Sequence, residues 1–310
     1  MSRDKRAGRR LTLPVVLLAL LLVAGAYGAA GCAEATGGTD TTAGPGGTGT
    51  TAGPGGAIDH PSGAKELVLQ VFAHDGFVPV EYHLTQLPHF SLYGDGTVIV
   101  TGPTIMIYPG PALPNLQVTT VSEEAVQEIL SAAREAGLFQ TDFDYGSLLI
   151  TDMPVTTIVI NADGASYTSN IYALGMDEGA EDLTMEQLQA RAAVNELVGK
   201  LVDVTSFETG ELTWAPYEYS ALAVFSVPVG PNNVPGSDDV QPNRLEWPLG
   251  GPDSLGDPIQ PEGYSRAVVS GPDLVELQTV LGEATQITVW TVEDREYNMY
   301  FRPLLPDETE

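Results

Sequence analysis

Three local hairpins, separated by helix-like stretches, limit most sharply what this chain can fold into. His89–Tyr93 and Thr97–Val100 flank Gly94-Asp95-Gly96. Val155–Asn161 and Ala165–Tyr172 flank Asp163-Gly164, and Ile287–Thr291 and Glu296–Phe301 flank Glu293-Asp294. Apolar runs that turn back within a few residues pair antiparallel, because parallel neighbours need a crossover of a dozen residues or more. Glycine and aspartate supply the positive φ angles that such turns require.

The stretches between the hairpins carry helix punctuation. Ser122 can cap a helix ending at Gly137, with Glu123 and Glu124 at its positive end and Val126, Ile129, Leu130 and Ala133 on its apolar stripe. Thr184 with Gln187 forms a capping box for a helix to about Val202, whose face holds Ala190, Val194, Leu197 and Leu201. Ser270 to Asp273 opens a third helix, with Leu274, Leu277 and Leu281 in its stripe and Gly282 at its end. Further strands are expected at Leu67–Phe72, Thr104–Tyr108, Tyr219–Val227 and Arg266–Val269. The resulting fold class is α+β, with antiparallel sheets and helices packed on one face.

The order strand, helix, hairpin occurs in both residues 64–205 and residues 206–310, so these are read as an α+β domain and a second α+β region. VTTVSEEAVQEIL can be laid beside AVVSGPDLVELQ, which leaves an internal duplication open. Residues 228–263 interrupt the second region with eight prolines and six glycines, a long loop of the functional or disordered kind. Trp247 in its middle is expected to dock on the core.

The front of the chain reads as address and tether. SRDKRAGRR precedes an uncharged apolar run that ends in Ala29, Ala30, Gly31 and the single cysteine, Cys32. This layout is that of a secretory signal and resembles a bacterial lipoprotein signal, which implies lipidation of Cys32 and removal of residues 1–31. Ala29 stands where that pattern usually has Leu. The alternative is a retained anchor, since an apolar run of roughly 20 residues can span a bilayer. Either way the basic end stays inside and the body lies on the extracytoplasmic side of the cell membrane. Arg9-Arg10 also looks like a twin-arginine export signal, although any basic leader offers such a pair. Residues 32–63, with TAGPGG occurring twice, bury too little apolar surface to fold and are read as a flexible tether.

The first region also bears a resemblance. PHFSLYGDGTVIVTGP, VSEEAVQEILSAAREAGLF and TDMPVTTIVINADGASYT are similar to a family of secreted bacterial domains of unknown function. Its marks are an iYGDGxV hairpin, a helix ending in AGfF and a TD-x-P segment. The matching residues are Tyr93 to Gly96, Ser122, Ala136 to Phe139, Thr151, Asp152, Pro154 and Gly164. The tail from Tyr300 to Glu308 is similar to the end of some uncharacterised exported proteins. The resemblance implies fold and export, and carries over no catalytic residue.

Charge excludes one class of function. With 13 Lys and Arg against 41 Asp and Glu, the chain carries −28, and the part after residue 31 carries −32. Nucleic-acid binding needs clustered cations that this chain lacks. A single cysteine excludes a disulfide framework and any multi-thiolate metal site.

No motif for catalysis, cofactor or metal emerges. His60, His74, His83 and His89 lack metal-ligand register, and Gly263-Tyr-Ser-Arg-Ala fails as a nucleophile elbow. Asp142, Asp144 and Asp152 come nearest to a cation loop, and Asp238-Asp239 is another acidic pair, but EF-hand spacing is missing. His74-Asp75 can polarise a nucleophile from another element. Two readings follow. One is a membrane-anchored, noncatalytic surface module binding an unidentified protein or small molecule; the other is a secreted hydrolase with a dispersed histidine and carboxylate site. A pocket collecting His74, His89 and carboxylates points to the enzyme, and a flat surface displaying Trp214, Tyr217 and Tyr219 points to binding.

Overall fold

A computed structural model describes residues 56–177, 180–231, 233–237 and 239–309. Residues 1–55, with Cys32 and most of the tether, lie outside the described residues, as does Asp238.

The first sheet grows from two of the local hairpins. β1 (Leu67–His74) is followed by a short helix α1 (Val80–Thr85), and then by β2 (Phe90–Tyr93), β3 (Thr97–Thr101) and β4 (Leu116–Thr120). Helix α2 (Glu123–Glu135) leads to the hairpin β5 (Val155–Ala162) and β6 (Ala165–Tyr172), then to α3 (Met185–Val202) and β7 (Ala215–Pro216). Spatial order is β6-β5-β1-β2-β3-β4-β7, antiparallel throughout. The β5–β6 turn has Asp163 at φ 51° and Gly164 at φ 71°, the twist-matched pair of a two-residue hairpin. At the β2–β3 turn, a Cβ on Gly96 would stand 2.5 Å from the Val121 carbonyl, so only glycine fits.

Burial alternates along β5, so Ile158, Ile160 and Ala162 face the core. Helices α2 and α3 cover that face. Val126, Ile129 and Leu130 of α2 meet Val194, Leu197 and Leu201 of α3 over Val68, Val71, Phe90 and Leu92. The Ser122 hydroxyl accepts from Ala125 N, and Thr184 and Gln187 exchange capping bonds, as the sequence pattern predicts. One position on the α3 stripe differs from expectation. Arg191 is fully buried there, with Ala190 only half-buried. Its guanidinium donates to Asp177 Oδ1 at 2.5 Å, and to the carbonyls of Tyr172 and Ala173, both at 2.9 Å. It thereby pins the end of the β5–β6 hairpin to α3, and its charge is compensated in place.

The second sheet has the order β10-β11-β8-β13-β12-β9. Its strands are β8 (Ala221–Pro228), β9 (Arg244–Glu246), β10 (Asp257–Ile259), β11 (Tyr264–Ser270), β12 (Val289–Val292) and β13 (Arg295–Pro303). β9 pairs parallel with β12, and the other pairs are antiparallel. Helix α4 (Gly271–Leu281) packs Leu274, Leu277 and Leu281 against Leu222, Val224, Met299 and Phe301.

The long proline-rich stretch is therefore partly built into this sheet as β9 and β10. Trp247 is buried, packs edge-on to Trp290 at 5.7 Å between centroids, and donates from Nε1 to Ser254 Oγ at 2.8 Å. By contrast Thr104–Tyr108 forms no strand. The expected α+β architecture is found, with α1 as an extra element against β13 and Leu84 beneath Ala221, Ala223 and Phe225. The described residues form one compact unit containing both sheets.

Glu208, beyond α3, ties that helix's exit to the start of α2. Its carboxylate accepts from Ser122 N at 2.7 Å and Gly210 N at 3.0 Å, and these backbone donors lower its pKa from 4.5 to about 2. A carboxylate with a depressed folded pKa adds stability above pH 4.5 that disappears as pH falls toward 2. Glu208→Gln is thus expected to melt below wild type at pH 6, with the gap closing by about pH 2. Thermal melts of both proteins across that range check this, and a gap independent of pH contradicts it.

Candidate functional site

The residues singled out for chemistry do not converge. His60 bonds the Pro61 carbonyl at 2.6 Å and Glu123 at 3.1 Å, near the start of α2. His83 is exposed on α1. His89 is exposed overall, yet its surroundings desolvate the ring enough to lower its pKa. Asp142, Asp144 and Asp152 are exposed loop residues; Asp144 accepts from Gly146 N at 2.8 Å and the Asp152 carbonyl from Phe77 N at 3.3 Å. Among the described residues no group of three or more histidine, cysteine or acidic side chains can hold a metal ion.

His74 alone sits in a hydrogen-bonded chain of catalytic appearance. Its Nδ1 lies 2.9 Å from Asp75 Oδ2, its Nε2 lies 2.7 Å from Thr157 Oγ1, and Thr157 donates to Asn170 Oδ1 at 2.6 Å. The order Asp, His, Thr resembles an activated hydroxyl. The setting does not serve one. Thr157 is mid-strand in β5, paired with Phe72 on one side and Asn170 on the other, so its own N–H is committed to the ladder rather than to an oxyanion. The Thr157 hydroxyl directs its proton at Asn170 Oδ1, away from His74, and Thr157 does not line the cavity between residues 101–115 and β13. The chain is best explained as polar cover on the sheet face opposite α2 and α3.

The concave feature lies elsewhere. A cavity of about 740 Å³ opens between residues 101–115 and strand β13, with Thr85 and Gln286 at its margins. Its floor is Met299, Tyr300 and Phe301. No residue lining it is acidic, basic or histidine. Four consecutive loop residues stand at its rim in solvent: Ile105 at 69%, Met106 at 101%, Ile107 at 55% and Tyr108 at 58% exposure. The loop's far end is held by the connection between α4 and β12, through Gln286 N donating to the Gly110 carbonyl at 3.0 Å and Ala112 N to the Ala284 carbonyl at 3.3 Å. A bridge between Pro111 and Thr285 completes that seam.

Just outside the cavity, Glu81 Oε1 accepts from the Tyr264 hydroxyl at 2.6 Å. Burial and then this carboxylate push the Tyr264 and Tyr300 pKa values up, so both phenols stay neutral donors.

No family model, curated protein or solved structure matches this chain. The site's own geometry therefore carries the functional argument.

The described residues present neither a histidine-and-carboxylate pocket nor a flat aromatic display. The cavity gathers no histidine and no carboxylate. Trp214 is exposed, but Tyr217 is half-buried and donates to the Leu304 carbonyl at 3.0 Å, and Tyr219 packs on the second core, so the three form no continuous display surface. The exposed apolar residues belong instead to a loop, 104–108, whose composition predicts a strand. A signal for it was present: residues 96–122 form the longest uncharged run in a chain of net charge −28.

Substitutions separate the rim from the floor. Met106→Glu is expected to change unfolding free energy by less than about 0.5 kcal/mol, whereas Phe301→Ala should cost about 3–5 kcal/mol as a core truncation. Urea denaturation of each variant measures this. A large loss for Met106→Glu shows that the rim is packed.

Proposed function

We propose that this chain is a noncatalytic binding module, held on the extracytoplasmic side of the membrane by a lipid on Cys32. Its binding site is the uncharged cavity between residues 101–115 and β13. The observation that carries the reading is that cavity and its exposed apolar rim. Exposed apolar surface in solution costs free energy of about 25 cal/mol per Å², and it is retained where a ligand covers it. A concave, mostly apolar site with a few polar groups is the ordinary form of a ligand pocket, and about 740 Å³ lies within the usual range. Thr85, Thr101, Asn115 and Gln286 supply neutral polar groups along its walls.

The leader's layout supports the anchor, and the Gly/Thr/Pro-rich tether supports a body that reaches away from the membrane. The resemblance to secreted bacterial domains agrees with export and adds no residue role. A hydrolase based on His74 draws on the Asp75, His74 and Thr157 chain, whose hydroxyl proton points to Asn170 and whose residues do not line the cavity of about 740 Å³.

Nile red, an uncharged dye that brightens in apolar surroundings, tests the site. Full-length protein is expected to bind it saturably, with Ile107→Asp weakening binding about tenfold and Leu149→Asp, at a still more exposed apolar residue on another loop, leaving it unchanged. Equal loss in both variants, or none in either, defeats the site assignment. Separately, Cys32→Ser should move the protein from the membrane to the soluble fraction. An unacylated wild type that keeps residues 1–31 defeats the lipid anchor.

A further inference from the structure

The floor of the cavity is a stretch of sheet edge beside which no described strand lies. In β13 the even-numbered residues bond to β8, as both ends of the ladder show: Val229 N donates to the Glu296 carbonyl, and Leu304 N to the Ala221 carbonyl. The odd-numbered residues accordingly aim their backbone groups the other way. As far as Asn298 that side is occupied by β12, whose pairing ends at Val289 opposite Asn298. Thr288 cannot extend it, because its N–H turns back to the Thr285 carbonyl at 3.0 Å.

Beyond that point the Met299 carbonyl and both the N–H and the carbonyl of Phe301 make no hydrogen bond to another described residue. Both residues line the cavity, and both are almost wholly buried. Pro303, next on the same side, has no N–H to leave unpaired, which suits an edge.

We propose that this cavity binds an extended, uncharged peptide segment, which adds to the second sheet as a strand alongside Met299–Phe301. The proposal rests on the cavity being the binding site and names what fills it. Three backbone groups on one edge, two residues apart, call for the alternating carbonyl and N–H pattern of another strand. A hydrocarbon or a sterol-like ligand satisfies the apolar walls and leaves the Phe301 N–H and both carbonyls unpaired, each a buried orphan that costs free energy. Charge settles the side chains. The lining holds no ion to pair with, so charged residues at inward positions lose hydration without compensation. Threonine, valine, isoleucine and similar residues fit both the pleat and the walls.

Two forms of one probe peptide separate backbone recognition from apolar burial. The first is a capped, uncharged peptide of five alternating threonine and valine residues. The second carries N-methyl groups on alternate amides, which keep every side chain and remove the donors on one edge; both methylation phases are made. Binding to the full-length chain is followed by displacement of Nile red and by amide exchange.

Expected results are displacement by the parent peptide and at least about tenfold weaker displacement by one methylation phase only, as two hydrogen bonds are lost. The Phe301 N–H is expected to exchange faster than those of Tyr300 and Arg302 in the free chain, and to slow when the parent peptide binds. Dye binding without peptide displacement, or equal displacement by all three peptides, overturns the strand-addition proposal and leaves the apolar site standing. A Phe301 N–H already as protected as that of Tyr300 in the free chain shows that the protein's own chain covers the edge, and likewise overturns it. Failure of the dye itself to bind overturns the site reading beneath both.

Discussion

Each sheet depends on a segment that the chain delivers from the other. Leu305, just past the last strand of the second sheet, is buried among Tyr93, Ile99 and Leu116 of the first. Asp307 then accepts from the Tyr93 hydroxyl at 2.6 Å. In return α1, inserted between β1 and β2, covers the second sheet with Leu84 and bonds Tyr264 through Glu81. Arg302 closes the exchange by donating to the Gln86 carbonyl at 2.9 Å and pairing both arms with Glu308. Removing either segment strips apolar cover from the opposite sheet, so the two layers stabilise one another by burial as well as by bonds. The cavity is a product of the same arrangement, since its loop belongs to the first sheet and its floor to the second.

The parts of the fold legible in the sequence are those fixed within about twenty residues. Hairpin turns announce themselves because positive φ selects Gly and Asp, and helices α2, α3 and α4 because caps and stripes recur at fixed spacing. What was missed is set by distant partners. β4 carries Leu116, Val118 and two threonines, an ordinary strand pattern, but pairing with β3 decides it. β9 is three residues long and exists only because β12 offers an edge, in the parallel sense that no hairpin logic anticipates. Short α1 has no side-chain cap and no buried residue, so it carried no helix signal at all. Arg191 inverts the usual reading of charge on a helix, because four acceptors meet at one point that only the assembled chain creates.

Thr104–Tyr108 is the instructive case for the site. TIMIY has strand composition, and composition alone cannot say whether a partner exists. Here the segment lies across a cavity from an edge that is itself unpaired. Local propensity and tertiary placement disagree at this one loop, and such disagreements concentrate where a protein keeps surface for use. The histidines misled for the opposite reason. Their chemistry is visible in any sequence, while their distance from one another is not, and His60, His74 and His83 are spent on a helix start, a sheet face and a solvated turn of α1.

Charge distribution then explains why an apolar rim is tolerable at all. A net −28 keeps copies of the chain apart through mutual repulsion, with a reach of about 8 Å at physiological ionic strength. An exposed patch such as Ile105 to Tyr108 on a neutral protein invites self-association. On this chain two such patches meet only if two acidic bodies are brought together with them. A ligand without charge feels no such barrier. Under the binding reading proposed above, the acidic surface and the uncharged cavity act as one filter, favouring small neutral segments over a second copy of the same protein.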